Sequence, residues 1–291
     1  MIEVKDFSIG FFKRELMGPD SEPEWLTLKN LYLQIRPGHV YGLIGRNGQG
    51  KTTLLNCITG LLRPKKKEAG VVYIDDVPVN ASNPNILSKF FYVTDTIAPL
   101  HLRTDIYADT LSHFYPHFNK EKFTECMELF QIDTKQFIDE ISLGQRKMTF
   151  LSYAFASGVP YLIMDEPTNG LDITSRSVFR KLVASYMDQD KAIVISTHHI
   201  NEISTLLDHI FILNDKHIVF DHSVMETGCV LSFVESDNMT DDALYSMSSA
   251  YGKRMILPNT NNSDSEIDYE LLFEAVLENP TLINAQFTTL N

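Results

Sequence analysis

The chain has 291 residues, which at roughly 150 residues per domain is room for about two domains. Hydrophobic residues make up 44% and charged residues 22%, so a substantial core can form under an ordinary polar surface. The formal net charge of -13 argues against a primary nucleic-acid binder, whose footprint is basic, and against adsorption to anionic lipid by charge alone.

Residues 2–9 and 31–35 alternate apolar and polar side chains, as half-buried strands do. "VYGLI" (Val40 to Ile44) is a short apolar run suited to a buried strand. After Lys51, "TTLLNCITGLL" carries apolar residues at helical spacing, and Gly60 and Pro64 end that helix. "GVVYIDDVPV" predicts a strand, a turn at Asp75-Asp76 and a second strand. From about Leu100 to Gly158 the pattern turns helical, with amphipathic spacing in "TDIYADTLSHFY" and "KEKFTECMELFQI". "YLIMDEP" and "KAIVISTHH" return to buried strands of parallel type, with helical sequence between them. "HIFILND" and "KHIVFDH" predict a closing hairpin.

This order predicts an α/β fold: a mostly parallel sheet flanked by helices, with a helical insertion in its middle. After about residue 222 the character changes. Between Asp237 and Glu278 the only basic residues are Lys253 and Arg254, "PNTNNSDSE" reads as a polar loop, and "DYELLFEAVLE" as an amphipathic helix. The expected organisation is one α/β unit over 1–222, with its helical part at about 98–158, and a small acidic accessory domain over 223–291.

Three cysteines, Cys57, Cys126 and Cys229, are too few and too scattered for a disulfide framework or a zinc site, which suits a reducing compartment. Lys5 and Asp6 interrupt what would be the apolar core of a signal peptide, and no run approaches 18 apolar residues. A cytoplasmic protein is the expectation.

The chemistry is concentrated in three stretches. Gly45 to Thr52, "GRNGQGKT", satisfies G-x-x-x-x-G-K-[ST] between a strand and a helix. Backbone N–H groups of such a loop, with the positive end of the helix behind it, hold phosphate oxygens. Lys51 supplies a point charge to the outer phosphates and Thr52 a hydroxyl to Mg²⁺. A plain glycine-rich turn is the alternative. Second, "YLIMDEPTNGLD" ends an apolar run on Asp165 and Glu166, at the strand end where open α/β sheets bind ligands. Asp165 could hold magnesium and Glu166 could polarise a water. Alone, two solvated acids would be the simpler reading. Third, Ser142 in "ISLGQRKMTFLSYAFASG" is a candidate N-cap of a long helix, whose donors make a second anion site.

Together these stretches resemble the ATP-binding cassette (ABC) ATPases over about Ile2 to Phe220, in the family's order. "GRNGQGKTT" is similar to the Walker A motif, "ISLGQ" to the signature usually written LSGGQ, and "YLIMDEP" to Walker B with its catalytic glutamate. "NGLD" is similar to the D-loop and "STH" (Ser196 to His198) to the switch histidine. The resemblance implies a P-loop NTPase core with an antiparallel β subdomain and an inserted helical subdomain. It implies ATP and Mg²⁺ as cofactors, and a head-to-tail pair of cassettes sandwiching ATP. Gly45, Arg46, Asn47, Gly48, Gln49, Gly50, Lys51, Thr52 and Thr53 would form the phosphate loop. Ser142, Gly144 and Gln145 of the second cassette would cover the γ-phosphate, with Asp172 at the seam. Glu166 would be general base and His198 would steady the γ-phosphate; His199 is its neighbouring alternative. Thr52, Asp165 and Asp95 would surround the metal.

Three departures from the family pattern stand out. Asp95 in "FYVTDT" takes the place of the usual Q-loop glutamine, and Leu143 that of the signature's first glycine. The segment from the first strand to Trp25 is long, and among Phe11, Phe12 and Trp25 spacing favours Phe11 as the residue stacking on adenine. The resemblance implies an ATP-hydrolysing subunit that drives a separate transmembrane permease, docked near Asp95 and the Leu100–Tyr115 region, at the cytoplasmic face of the membrane. The single cassette with a C-terminal extension resembles exporters of drugs, peptides or bacteriocins. A soluble ABC ATPase acting on ribosomes or DNA is the second class. A regulatory binder without turnover is the third, against which Glu166 and His198 both speak.

Overall fold

The computed structural model describes residues 1–12, 25–62, 70–79, 83–250, 252–260 and 265–290. Side chains at 10–12, 25–27, 289 and 290, Phe11, Phe12 and Trp25 among them, lie outside the described residues.

The first half runs β1 (Ile2–Phe12), β2 (Trp25–Ile35), β3 (Val40–Ile44), α1 (Lys51–Ile58), β4 (Val71–Ile74), β5 (Val77–Pro78), α2 (Pro84–Leu87) and β6 (Phe90–Val93). Three helices follow, α3 (Thr104–Leu111), α4 (Lys120–Leu129) and α5 (Leu143–Ala156). The chain then returns through β7 (Tyr161–Asp165), α6 (Ile173–Tyr186), β8 (Ala192–Thr197), β9 (His209–Asn214) and β10 (His217–Ser223). The last segment holds α7 (Val224–Val230), β11 (Leu231–Ser236), β12 (Tyr245–Ser249), β13 (Gly252–Pro258), α8 (Tyr269–Glu278) and α9 (Pro280–Ala285).

A six-stranded sheet of order β10-β9-β3-β8-β7-β6 forms the centre. Its strands pair in parallel except β9 with β10, the hairpin expected at "HIFILND" and "KHIVFDH". Asp215 and Lys216 at the hairpin tip both have positive φ, as do Asp75 and Asp76 between β4 and β5. Paired left-handed residues match the twist of two-residue hairpins.

The apolar runs are continuous because both faces of the central strands are covered. Side chains alternate between two cores. Val40 and Ile44, Leu162 and Met164, Ile193 and Ile195 point into one, which the helices α4 to α6 fill. Tyr41 and Leu43, Tyr161 and Ile163, Val194 point into the other, closed by α1 and the antiparallel sheet β2-β1-β4-β5. α6 shows the helical counterpart: Phe179, Leu182, Val183 and Tyr186 fall on one buried stripe. Each such side chain contributes about 1.5–3 kcal/mol on burial.

The segment after Ser223 is built from a sheet of order β11-β13-β12 and the helices α8 and α9. Its apolar residues Val230, Leu231, Ile256, Leu271, Leu272, Ala275 and Val276 belong to the same core as Ile195, Ile210 and Ile212 of the central sheet.

Burial also sorts the cysteines. Cys57 in α1 and Cys126 in α4 are buried, and burial pushes their thiols up, to about 12 and about 11 respectively; Cys229 is exposed. Brief alkylation of the native protein, read by peptide mass, is therefore expected to modify Cys229 and spare the other two, because the thiolate is the reacting form. Equal labelling of all three would contradict the packing of α1 and α4.

Candidate functional site

The carboxyl ends of β3, β7 and β8 converge, and each carries one part of the candidate site. β3 leads into the loop Gly45 to Gly50. A Cβ placed at Gly45 would meet the Leu213 carbonyl oxygen at 2.6 Å, so only glycine lets the loop pass this close to β9. Gly50 caps α1 with φ of 110°, a left-handed conformation natural to glycine. No side chain caps α1, so its first N–H groups keep their capacity for an anion. Arg46, Asn47 and Gly48 are exposed, and Gln49 and Thr53 partly so.

Lys51, the first residue of α1, is buried at 6% exposure. Its Nζ donates to the Gly45 carbonyl at 2.6 Å and lies 3.4 Å from Glu166 Oε1. Beside it, Thr52 Oγ1 donates to Asp165 Oδ2 at 2.6 Å. Ser196 of β8 donates its hydroxyl to the other oxygen, Asp165 Oδ1. Asp165 is thus held on both sides, with Thr52 at its mouth.

A hydroxyl and a carboxylate so placed are hard oxygen donors, and magnesium is usually held by one or two carboxylates together with phosphate oxygens and waters. Among the described residues no group of three or more His, Cys, Asp or Glu could form an all-protein metal cage. The hydroxyl of Tyr92 in β6 is buried with no hydrogen-bond partner among the described residues. Burial first, then the nearby charges of Asp165 and Asp95, push it well above the ordinary tyrosine range. A buried hydroxyl left without a partner fits a site made for polar occupants. The residues present fit magnesium carried in with phosphate.

Glu166 sits one residue past β7 with φ of 46°. For a residue with a Cβ this conformation costs of order 1–3 kcal/mol and persists only where the surroundings enforce it. Its N–H donates to the Ser196 carbonyl at 3.0 Å and its own carbonyl accepts from Asn169 N–H at 3.2 Å. The carboxylate is brought to His198, whose Nδ1 lies 2.8 Å from Oε1. The backbone N–H of His199 donates to Thr197 Oγ1 at 2.9 Å, and its ring lies against that of His198, with centroids 3.8 Å apart. Of the two histidines, His198 is the one that reaches Glu166.

The signature residues stand apart from this cluster. Ser142 caps α5 in a reciprocal box: its hydroxyl accepts from Gln145 N–H at 3.2 Å, and Gln145 Oε1 accepts from Ser142 N–H at 3.1 Å. Ser142 is exposed, Leu143 is 64% exposed, and a Cβ on Gly144 would come within 3.1 Å of the Gly170 carbonyl. Among the described residues no hydrogen bond joins Ser142, Gly144 or Gln145 to the phosphate loop. Asp172 caps α6 by accepting from Ser175 N–H at 2.7 Å, and that bond, first among several, holds its carboxyl below the usual range. Next to it Ile173 is 85% exposed.

Asp95, expected beside the metal, accepts at Oδ1 from Lys147 Nζ at 2.9 Å and from Asn169 Nδ2 at 3.5 Å. Four contributors were absent from the sequence reading in these roles: Ser196 on Asp165, Tyr92, Lys147, and Glu274 of α8. Glu274 pairs with Arg46 of the phosphate loop at 3.0 Å. Lys147 did leave a signal, the one charged residue in the mostly apolar helical run "KMTFLSYAFA".

A model of the ABC transporter family matches residues 28–169. The chain is 30% identical over 203 residues to the manganese transport system ATP-binding protein MntB of Listeria monocytogenes, covering 66% of this chain and 82% of that protein. It is 28% identical over 195 residues to the ABC transporter ATP-binding protein YtrB of Bacillus subtilis, covering 66% of this chain and 65% of YtrB. It is 28% identical over 221 residues to the bacitracin transport ATP-binding protein BcrA of Bacillus licheniformis, covering 72% of this chain and 71% of BcrA. In fold it is similar to a bacterial ABC transporter cassette solved as a dimer, with a TM-score of 0.64 at 23% identity over 77% of this chain and 98% of that one.

Proposed function

The chain belongs to the ATP-binding subunits of ABC transporters, and on that premise we propose that it hydrolyses ATP between two cassettes to drive a separate transmembrane permease. The observation that carries this is the meeting of Lys51, Thr52, Asp165, Glu166 and His198 at one edge of the central sheet, while the signature is presented outward on α5. One chain holds a complete basal half-site and an exposed covering half. A second cassette, in reversed orientation, supplies the complement.

ATP is seated with its phosphates over Gly45 to Thr53. Lys51 turns from the Gly45 carbonyl to the outer phosphates, which are the stronger acceptors. Thr52 and Asp165 hold the magnesium ion, which when bound neutralises phosphate charge. Glu166 accepts the proton of the water that attacks the γ-phosphorus, and His198, hydrogen-bonded to the same carboxylate, fixes its direction. Ser142, Gly144 and Gln145 of the second cassette close over the γ-phosphate with N–H and O–H donors. The exposed Leu143 and Ile173, beside Ser142 and Asp172, supply apolar surface for that contact. Phe11 is the proposed adenine partner.

No helix among the described residues is long and apolar enough to cross a membrane. The permease is proposed as another polypeptide, docked at the Asp95 loop and around α3, where Ile106 on the helix and Leu100 and Phe114 on either side of it are exposed. On this reading the chain works at the cytoplasmic face of a membrane. Export of a drug, peptide or bacteriocin-like compound is the transport we favour, supported by the likeness to the bacitracin transport ATP-binding protein BcrA. The experiment is affinity purification from solubilised native membranes. Recovery of a multi-span protein with the tagged chain is expected. Ribosomes recovered in its place would overturn the permease reading in favour of mechanical work on the ribosome.

A further inference from the structure

Lys147 lies in the first half of α5 and is only 3% exposed. A lysine ammonium is almost never taken so far from water unless its charge and its hydrogen-bonding capacity are met. Lys147 has two partners. Nζ donates to the Glu166 carbonyl oxygen at 2.7 Å, and to Asp95 Oδ1 at 2.9 Å. Asp95 stands on the loop after β6 with its carboxyl 42% exposed, so the pair runs from the surface to the backbone of the candidate base.

The Glu166 backbone is the part of the site that most needs outside support. Its φ of 46° is unfavourable for glutamate, and two N–H bonds, to Ser196 and from Asn169, hold it from within its own neighbourhood. A charged donor on the carbonyl adds the third and strongest hold, since bonds to an ionised group are roughly twice as strong as neutral ones. With the peptide fixed, the carboxylate is aimed at Lys51 and His198. Without it, the peptide can rotate toward a commoner conformation and swing the carboxylate away.

We propose that Lys147 is a positioning residue for ATP hydrolysis: paired with Asp95, it clamps the strained Glu166 peptide and thereby sets the direction of the base. The proposal rests on the assignment of Glu166 as general base. It also gives the aspartate at position 95 a role as counter-ion to a buried cation.

The test measures ATPase kinetics and ATP affinity of the purified full chain with Lys147→Met, with Asp95→Asn and with both. Misplacement of a catalytic group by about 1 Å costs on the order of a hundredfold, so Lys147→Met is expected to lower kcat by about ten- to a hundredfold with KM within about threefold. In a Glu166→Gln background, the same change is expected to lower the residual rate by less than about twofold, because its effect passes through the carboxylate. Should Lys147→Met fail to fold, the Asp95→Asn/Lys147→Met double variant, which buries no unpaired charge, carries the same expectations. Unchanged kcat in a folded variant, or an equal loss in both backgrounds, would overturn the proposal while leaving the ATPase assignment standing. Full turnover in Glu166→Gln alone would overturn the base assignment, and this proposal with it.

Discussion

Glu166→Gln is expected to lower ATP turnover by roughly a hundred- to a ten-thousandfold, the range attributed to general-base catalysis, while ATP still binds. The substitution keeps the shape of the side chain and its partners on the backbone. It removes the charge that lies 3.4 Å from Lys51 Nζ and 2.8 Å from His198 Nδ1, and turns one of the two acceptor oxygens into an amide donor that cannot take a proton from water. Loss of negative charge beside a phosphate site also favours the nucleotide, so affinity is expected to stay level or to rise. Rapid-quench hydrolysis with equilibrium binding of a fluorescent ATP analogue measures both quantities. Wild-type turnover in the variant would remove Glu166 from the mechanism, and lost binding would make it a structural residue.

Ser142→Arg probes the other half-site and is expected to abolish measurable turnover, with ATP binding to the monomer unchanged. Ser142 is exposed and makes only the local capping box with Gln145, so loss of the cap costs about 1 kcal/mol of stability, which the fold can bear. The arginine would fill the space between the signature and the γ-phosphate of the facing cassette. The informative measurement mixes this variant with Glu166→Gln. If sites are shared between chains, a mixed pair contains one site that combines an intact Glu166 with an intact Ser142, so activity reappears on mixing. If each chain works alone, the mixture stays silent.

What was legible in the sequence was chemistry that is local along the chain. "GRNGQGKT" sets its own backbone through its glycines, and a strand that ends on Asp165 and Glu166 declares both its burial and its direction. The central strands were readable because burial on both faces leaves their middles continuously apolar, with polar residues such as Asp165, Ser196 and Thr197 gathered at their carboxyl ends. The strands β11 to β13 were not, because "LSFVES" and "YSMSS" are short, rich in serine and only half covered. The choice between His198 and His199 followed motif spacing, but the physical reason appears only when β7 and β8 are laid side by side. The pairing of Lys147 with Asp95 spans 52 positions, and that of Arg46 with Glu274 spans 228. Charge pairs over such separations leave no periodicity, so only the fold reveals them.

The continuity of the interior into α8 bears on how the end of the chain can be studied. Leu271, Leu272, Ala275 and Val276 fill space against the central sheet, and at about 1.5–3 kcal/mol per large side chain they are worth an appreciable part of the 5–15 kcal/mol that holds a typical domain together. A chain cut after the β9–β10 hairpin would be left with a raw apolar flank, prone to aggregate whatever the cut segment does in the intact protein. The informative probes are surface substitutions such as Glu274→Gln, which release one contact and keep the filling, or exchange of the whole segment with its matching core face from a relative.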